Sequence, residues 1–191
     1  MDSSYYTNPL VFLVQIIFGL YALIVMLRFL LQIVRADFYN PLSQFIVKVT
    51  SPVLRPLRKA VPSIGGKDTA SLVLVWLVLG VELMLISLII GQGLQPVLSL
   101  LLAIPKMLEL TFDIFIFGIL IQVILSWINP GTYNPAVAIV HSLTEPLLGP
   151  ARRLISPIGG IDLSPMLVMI GLYLLQMLLL PPLQKLMMSL A

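Results

Sequence analysis

The chain has 191 residues, of which 59% are apolar and only 10% charged, with a formal net charge of +3. A water-facing domain carries about 25% charged residues, so water is excluded as the main solvent of this surface and the bilayer remains. There is no cysteine and a single histidine, His141, which excludes disulfides, thiolate metal centres and a histidine-only metal site within one chain.

Met1 to Thr7 holds no basic residue and no small-residue cleavage site ahead of the first apolar run, so that run reads as a retained span rather than a secretory signal. Crossing a hydrocarbon core takes ~20 residues of helix. Leu10 to Val34 meets that length, with Gln15, Arg28 and Gln32 as its polar exceptions. In the following segment Leu42, Phe45, Ile46, Val49 and Val53 fall near one helical face, away from Ser43, Gln44, Lys48 and Arg55. That pattern suits an amphipathic helix at headgroup depth, which Pro52 and Pro56 are expected to break into short pieces. Ile64-Gly65-Gly66-Lys67-Asp68 then reads as a tight turn.

Ala70 to Ile90 is the second span and contains Ser71, Glu82 and Ser87. The Asp68 and Thr69 side chains are expected to cap it. Residues 91–106 look too short to cross alone and either extend a neighbouring helix or dip into the interface. Leu110 to Ile128 is the third span, with Thr111, Asp113, Gln122 and Ser126. Leu163 to Leu180 is the fourth, with Gln176 inside it, Asp162 and Ser164 at its start, and Pro165 suited to its first turn. Pro181 and Pro182 are expected to end or bend it. Backbone groups in lipid must bond internally, and apolar runs this long without strict alternation argue for helices.

An offset of 94 relates the two halves. Tyr39, Asn40, Pro41, Thr50, Pro52, Leu54, Pro56, Arg58, Ile64, Gly65, Gly66 and Asp68 become Tyr133, Asn134, Pro135, Thr144, Pro146, Leu148, Pro150, Arg152, Ile158, Gly159, Gly160 and Asp162. These are twelve identities in the thirty positions 39–68 without a gap, where chance would supply about two. Residues 1–97 therefore read as repeat one and 98–191 as repeat two. If each has two spans, the copies share one orientation, an arrangement seen in transporters; if 91–106 crosses, the second is inverted. Arg35, Lys48, Arg55, Arg58, Lys59, Lys67, Arg152 and Arg153 all lie in the repeated connections, against Lys106 and Lys185 in the other flanks. This excess predicts cytoplasmic connections and termini on the outer side, and favours four spans.

The runs Phe38-Tyr39-Asn40-Pro41-Leu42-Ser43-Gln44-Phe45 and Thr50-Ser51-Pro52-Val53-Leu54-Arg55-Pro56-Leu57-Arg58 closely resemble the first copy in bacterial YggT proteins. Glu145-Pro146-Leu147-Leu148-Gly149-Pro150-Ala151-Arg152-Arg153 and Gly159-Gly160-Ile161-Asp162-Leu163-Ser164-Pro165 resemble the second. Gly149, where the family usually has Arg, and the placement of Pro157 are departures that bear on the second turn. The resemblance covers nearly the whole chain. It implies a bacterial inner-membrane protein with two YGGT repeats, or a chloroplast relative. Such proteins are linked to osmotic or potassium-related stress, to cell-division or nucleoid organisation, and to cytochrome b6 maturation. It carries over no catalytic residue.

Arg28 and Glu82 are the notable intramembrane charges, since such charges face a bundle interior or a water-filled cavity. Gln122 and Gln176 are their repeat partners. The four together suggest an ion or proton site, or else an Arg28–Glu82 pair with two glutamines as interhelical glue; Arg28 also has the reach to snorkel to the interface. Asp113 is expected to be exposed or capping near the outer end of its span. Lys48, Arg55, Arg58, Lys59, Arg152 and Arg153 suit anionic lipid or a partner protein, or set topology alone. His141 is expected on the polar side of the second amphipathic segment, since one histidine cannot ligate haem on both faces. Gly65-Gly66 and Gly159-Gly160 lack the Lys-Ser/Thr ending of a phosphate loop. Aromatic and basic residues do not interleave as a nucleic-acid platform requires.

The expectation is thus an all-α membrane protein of about four transmembrane helices, in two tandem two-helix repeats, each with an interfacial amphipathic segment. It is read as a non-enzymatic scaffold or interaction protein without cofactor, its partners being the bilayer, anionic lipid, membrane proteins or a second copy. A small ion transporter or channel component is the alternative.

Overall fold

A computed structural model describes residues 4–128, 134–154 and 162–191. Among them are six helices: α1 (Ser4–Ile33), α2 (Pro41–Ala60), α3 (Thr69–Ile89), α4 (Pro96–Ile128), α5 (Pro135–Leu154) and α6 (Ser164–Ser189). Four of these, α1, α3, α4 and α6, are long and apolar enough to cross a membrane. Their exposed faces are lined by Leu, Ile, Met and Phe, as a lipid solvent permits and water does not.

Residues 96–106 form no separate element. They are the first third of α4, which at 33 residues is about 50 Å long. With four crossings the copies run in the same direction, and α2 and α5 lie at the same end of the bundle. There Leu31 of α1, Ile46 of α2 and Ile139 of α5 form one small core, and the Asn40 side-chain amide donates to Pro135 O at 2.8 Å. The long helices pack in the order α1, α3, α4, α6, with the inner pair α3 and α4 joining the copies.

The prolines do not break the helices. Pro52 and Pro56 lie inside a continuous α2, and Pro181 and Pro182 lie inside α6, which runs on to Ser189. All four sit on exposed faces. In α2 the two rings lie one turn apart, opposite the buried stripe Ser43, Ile46, Thr50 and Leu54, so the carbonyls they leave unbonded point away from the core. In α6 the cost of an unsatisfied backbone in lipid keeps the flanking Leu and Met residues helical. Gly149 likewise sits inside an unbroken α5.

Asn40 caps α2, its Oδ1 accepting from Leu42 N at 2.9 Å, and Asn134 caps α5 through Ala136 N at 2.8 Å. Pro41 and Pro135 then open each helix, where no donor is needed. Arg58 and Lys59 end α2, and Arg152 and Arg153 end α5, each pair favourably placed on the helix dipole. Of the apolar face read for α2, Leu42, Phe45 and Val53 are exposed, whereas Ile46 turns into the bundle.

Gly65 and Gly66 have φ of +59° and +73°, the conformation that a tight turn with two left-handed central residues demands. Lys67 N closes the turn onto Ile64 O at 3.1 Å. Gly66→Ala should destabilise the fold by about 1 kcal/mol, read as a lower unfolding midpoint in detergent. Gly159 and Gly160, predicted to form the matching turn, lie outside the described residues.

Candidate functional site

The duplicated residues build the same frame twice at the α2/α5 end. Thr50 and Thr144 are both fully buried. The Thr50 hydroxyl donates to Ile46 O at 2.7 Å and accepts from Arg28 Nη1 at 2.5 Å. In the second copy the Thr144 hydroxyl lies 2.9 Å from Val140 O and donates to the side-chain oxygen of Gln122. Positions 28 and 122 therefore do the same work, tying a long helix to the amphipathic helix that follows it. One does so with a charge and the other with an amide.

A second duplicated link ties each amphipathic helix to the start of the next span. Asp68 accepts from Arg58 Nε at 3.2 Å, from Arg58 Nη2, and from the Ser71 hydroxyl at 2.7 Å, with Arg28 Nε 3.8 Å away. Asp162 accepts from Arg152 Nε at 3.0 Å and from Ser164 N at 2.9 Å, while Arg152 also reaches Glu145 at 2.7 Å. Burial raises the Asp68 carboxyl, but bonds from Arg58 and Ser71 outweigh it and hold the group below its ordinary 3.8. Burial also raises Asp162, and bonds from Ser164 and Arg152 again prevail, leaving it lowered. Asp162 caps its helix as expected. Asp68 does not: its carboxylate is taken by Arg58 and Ser71, and the Thr69 hydroxyl donates to Pro62 O at 2.6 Å. Gln32 grips the intervening turn from both sides, donating to Gly66 O at 3.2 Å and accepting from Asp68 N at 3.3 Å.

Arg28, Glu82, Gln122 and Gln176 do not converge. Arg28 lies about 8 Å along α1 from the α2 end, and Glu82 about 20 Å along α3 from it. No Arg28–Glu82 pair forms; eight residues of helix rise separate them. Glu82, 1% exposed, instead holds Lys106 Nζ at 2.7 Å. Lys106, placed by sequence in a flank, is inside α4 because that helix starts earlier than its hydropathy suggests. Gln176 donates to Asp113 Oδ1 at 3.4 Å. Asp113 is therefore half-buried in the middle of α4, neither exposed nor a cap. Glu82, Lys106 and Asp113, but not Gln176, border a cleft of about 280 Å³ between α1, α3 and α4, which Gly19 leaves open and Glu109 also lines. The Oε2 of Glu82 has no hydrogen-bond partner among the described residues.

His141 is exposed on α5, 3.4 Å from Gln122 Nε2 and 3.7 Å from Glu145. Lys48, Arg55, Lys59 and Arg153 are exposed and enter no ion pair among the described residues. Arg58 and Arg152, grouped with them by charge, are occupied by Asp68 and Asp162.

The fold and its duplicated polar frame define a two-repeat α-helical integral membrane protein. The CCB3/YggT family model matches residues 7–89 and again 101–183, two copies offset by the same 94 positions. The chain belongs to this family. It is 47% identical to the protein PA0392 of Pseudomonas aeruginosa over 170 residues, 88% of this chain and 86% of that one. It is 40% identical to a Vibrio alginolyticus protein encoded in the proC 3′ region, over 86% of this chain and 90% of that one. Escherichia coli K12 YggT is 36% identical, over 89% of this chain and 88% of its own. No solved structure matches.

Proposed function

We propose that this protein is a non-enzymatic scaffold of the bacterial inner membrane, with α2 and α5 on the cytoplasmic side and both termini outside. In this reading it serves stress tolerance, cell division or membrane organisation by holding partner proteins at the inner surface. One observation carries it: α2 and α5 are joined through Asn40 and Pro135 into a single platform. That platform presents exposed Leu42, Phe45 and Val53 beside exposed Lys48, Arg55 and Lys59. Apolar anchors within a basic rim suit a surface that lies on lipid and receives a partner. The excess of basic residues on these connections supports the orientation.

Photo-crosslinkers at Phe45 and Val53, in cells, are expected to give discrete protein adducts that a probe at the α6 position Leu175 does not. Equal, lipid-only labelling at all three positions would refute the scaffold.

A second reading, a small ion transporter, is favoured by one feature, the unpartnered Glu82 Oε2 at the α1/α3/α4 cleft. Against it, Glu82 and Asp113 already have partners in Lys106 and Gln176, although Glu109 has none among the described residues. Liposomes containing the purified protein are expected to pass cations no faster than empty ones. A flux abolished by Glu82→Gln would reverse that choice.

A further inference from the structure

We propose that the first repeat binds a phosphate group in a cavity between the end of α1 and the start of α2, and that Arg35, Arg28 and Ser43 are its ligands. The cavity has a volume of about 380 Å³, and its polar lining is Arg28, Gln32, Arg35, Ser43 and Arg58. Three independent features of this lining point to an anion.

The first is backbone strain. Arg35 N bonds Gln32 O at 3.2 Å and Ala36 N bonds Leu31 O at 2.9 Å, the paired bonds of a Schellman helix end. Arg35 occupies the left-handed position of that motif, with φ +53°. Glycine is relaxed there, and a long side chain is not. An arginine kept at such a position, beside a cavity, indicates that its guanidinium is used.

The second is unmatched polarity. Ser43 lines the cavity and is 7% exposed, and its buried hydroxyl has no partner among the described residues. Buried hydroxyls are otherwise bonded. Charge is unbalanced in the same sense. Arg58 and Arg28 share one carboxylate, Asp68, and Arg35 enters no ion pair among the described residues. Three guanidiniums against one carboxylate leave a surplus that a phosphate would neutralise. Arginine forks match its oxygens in pairs. Arg28 is already held in place by α2, through Val47 O at 3.3 Å, Thr50 and Ser51.

The third is the contrast between the repeats. The frame is kept in both: Asn40, Pro41, Thr50, Leu54, Arg58 and Asp68 all recur 94 positions on. Of the five polar lining residues only Arg58 recurs. Arg28, Gln32, Arg35 and Ser43 correspond to Gln122, Ser126, Asn129 and Val137. A need for topology or folding would act on both copies. Two of the three lining cations, Arg28 and Arg35, are particular to one, as a binding site would be.

A lipid headgroup and a soluble phosphate ester share this chemistry, and the cavity lies where α1 leaves its apolar run, within reach of both. The site does not depend on the α2/α5 platform having a protein partner, so crosslinking and phosphate binding can fail separately.

The test uses the full-length protein in detergent titrated with inorganic phosphate, and in nanodiscs of phosphatidylcholine with or without phosphatidylglycerol. Thermal unfolding is the readout. The wild-type midpoint is expected to rise with at least one of these additions. Arg35→Gly should raise the midpoint without ligand, because the strain is relieved, and yet weaken the response about tenfold. Arg35→Asn, which copies the second repeat and tolerates the left-handed conformation, should weaken it similarly, and Ser43→Ala several-fold. Lys185→Gln, exposed on α6 and outside the cavity, should respond as wild type. A response to phosphatidylglycerol alone supports a lipid headgroup as the source, and one to inorganic phosphate in detergent supports a soluble ester. No wild-type response, undiminished responses from both Arg35 variants, or a Lys185→Gln loss as large as theirs would overturn the site.

Discussion

Asp68→Asn is expected to destabilise the protein by about 2–4 kcal/mol, against less than about 1 kcal/mol for the equivalent Asp162→Asn. The two aspartates occupy the same place in their repeats and bond equivalent arginines, Arg58 and Arg152, so the difference isolates environment. The Asp68 side chain is 8% exposed, and that of Asp162 is 37% exposed. Removing the charge at Asp68 leaves Arg28, itself 11% exposed, without its nearby carboxylate. Arg58, at 44% exposure, recovers part of its loss from water. At Asp162 asparagine remains a good helix cap for Ser164 N, and Arg152 keeps Glu145. Both aspartates are lowered in the folded state. Their contribution is therefore complete above their ordinary value near 4 and is lost as pH falls through the lower folded values. Unfolding midpoints in detergent should drop steeply below about pH 4 in the wild type, with the larger part of that dependence missing in Asp68→Asn. Equal effects of the two substitutions would mean that the Asp68 network is no tighter than its surface counterpart.

The four spans are legible because an apolar run of sufficient length has few other uses, and α1 and α3 end within a residue or two of where hydropathy places them. Of the two readings of residues 91–106, extension of a neighbouring helix holds for 96–106. In lipid the helix is the state that satisfies the backbone, and Glu82 on the neighbouring helix pairs Lys106. Starting the span at Leu110 left Lys106 in a flank, which hid that pair and left Arg28 and Glu82 looking like partners. Pro52 and Pro56 misled in a related way: their four-residue spacing puts both on one exposed side, which only the buried stripe of Ser43, Ile46, Thr50 and Leu54 reveals. The duplicated frame was more readable than its parts suggested. Arg58 and Asp68 stand ten apart in one copy and Arg152 and Asp162 ten apart in the other, an interval too polar to be kept by hydrophobicity. Arg35 carried no such signal, since its strained backbone belongs to the fold alone.

Lys106→Leu should cost about 3–5 kcal/mol, and the double change Glu82→Leu/Lys106→Leu should restore most of it. Glu82 is almost fully enclosed, its Oε1 faces Lys106 Nζ, and its Oε2 has no partner among the described residues. Deleting the lysine leaves that carboxylate buried without a cation, in a layer where the surrounding solvent is hydrocarbon. Replacing both groups by leucine removes the desolvation cost together with the attraction, and such swaps are often neutral or stabilising. The cycle is read from unfolding midpoints of the wild type, the two single variants and the double variant in one detergent. A strong positive coupling means that the pair holds α3 against α4, the contact that joins the two repeats. If the lysine change is instead silent, the Glu82–Lys106 contact does not hold α3 against α4, and the balance of functional readings moves towards a working polar cleft lined by Glu82, Gln15, Glu109 and Asp113.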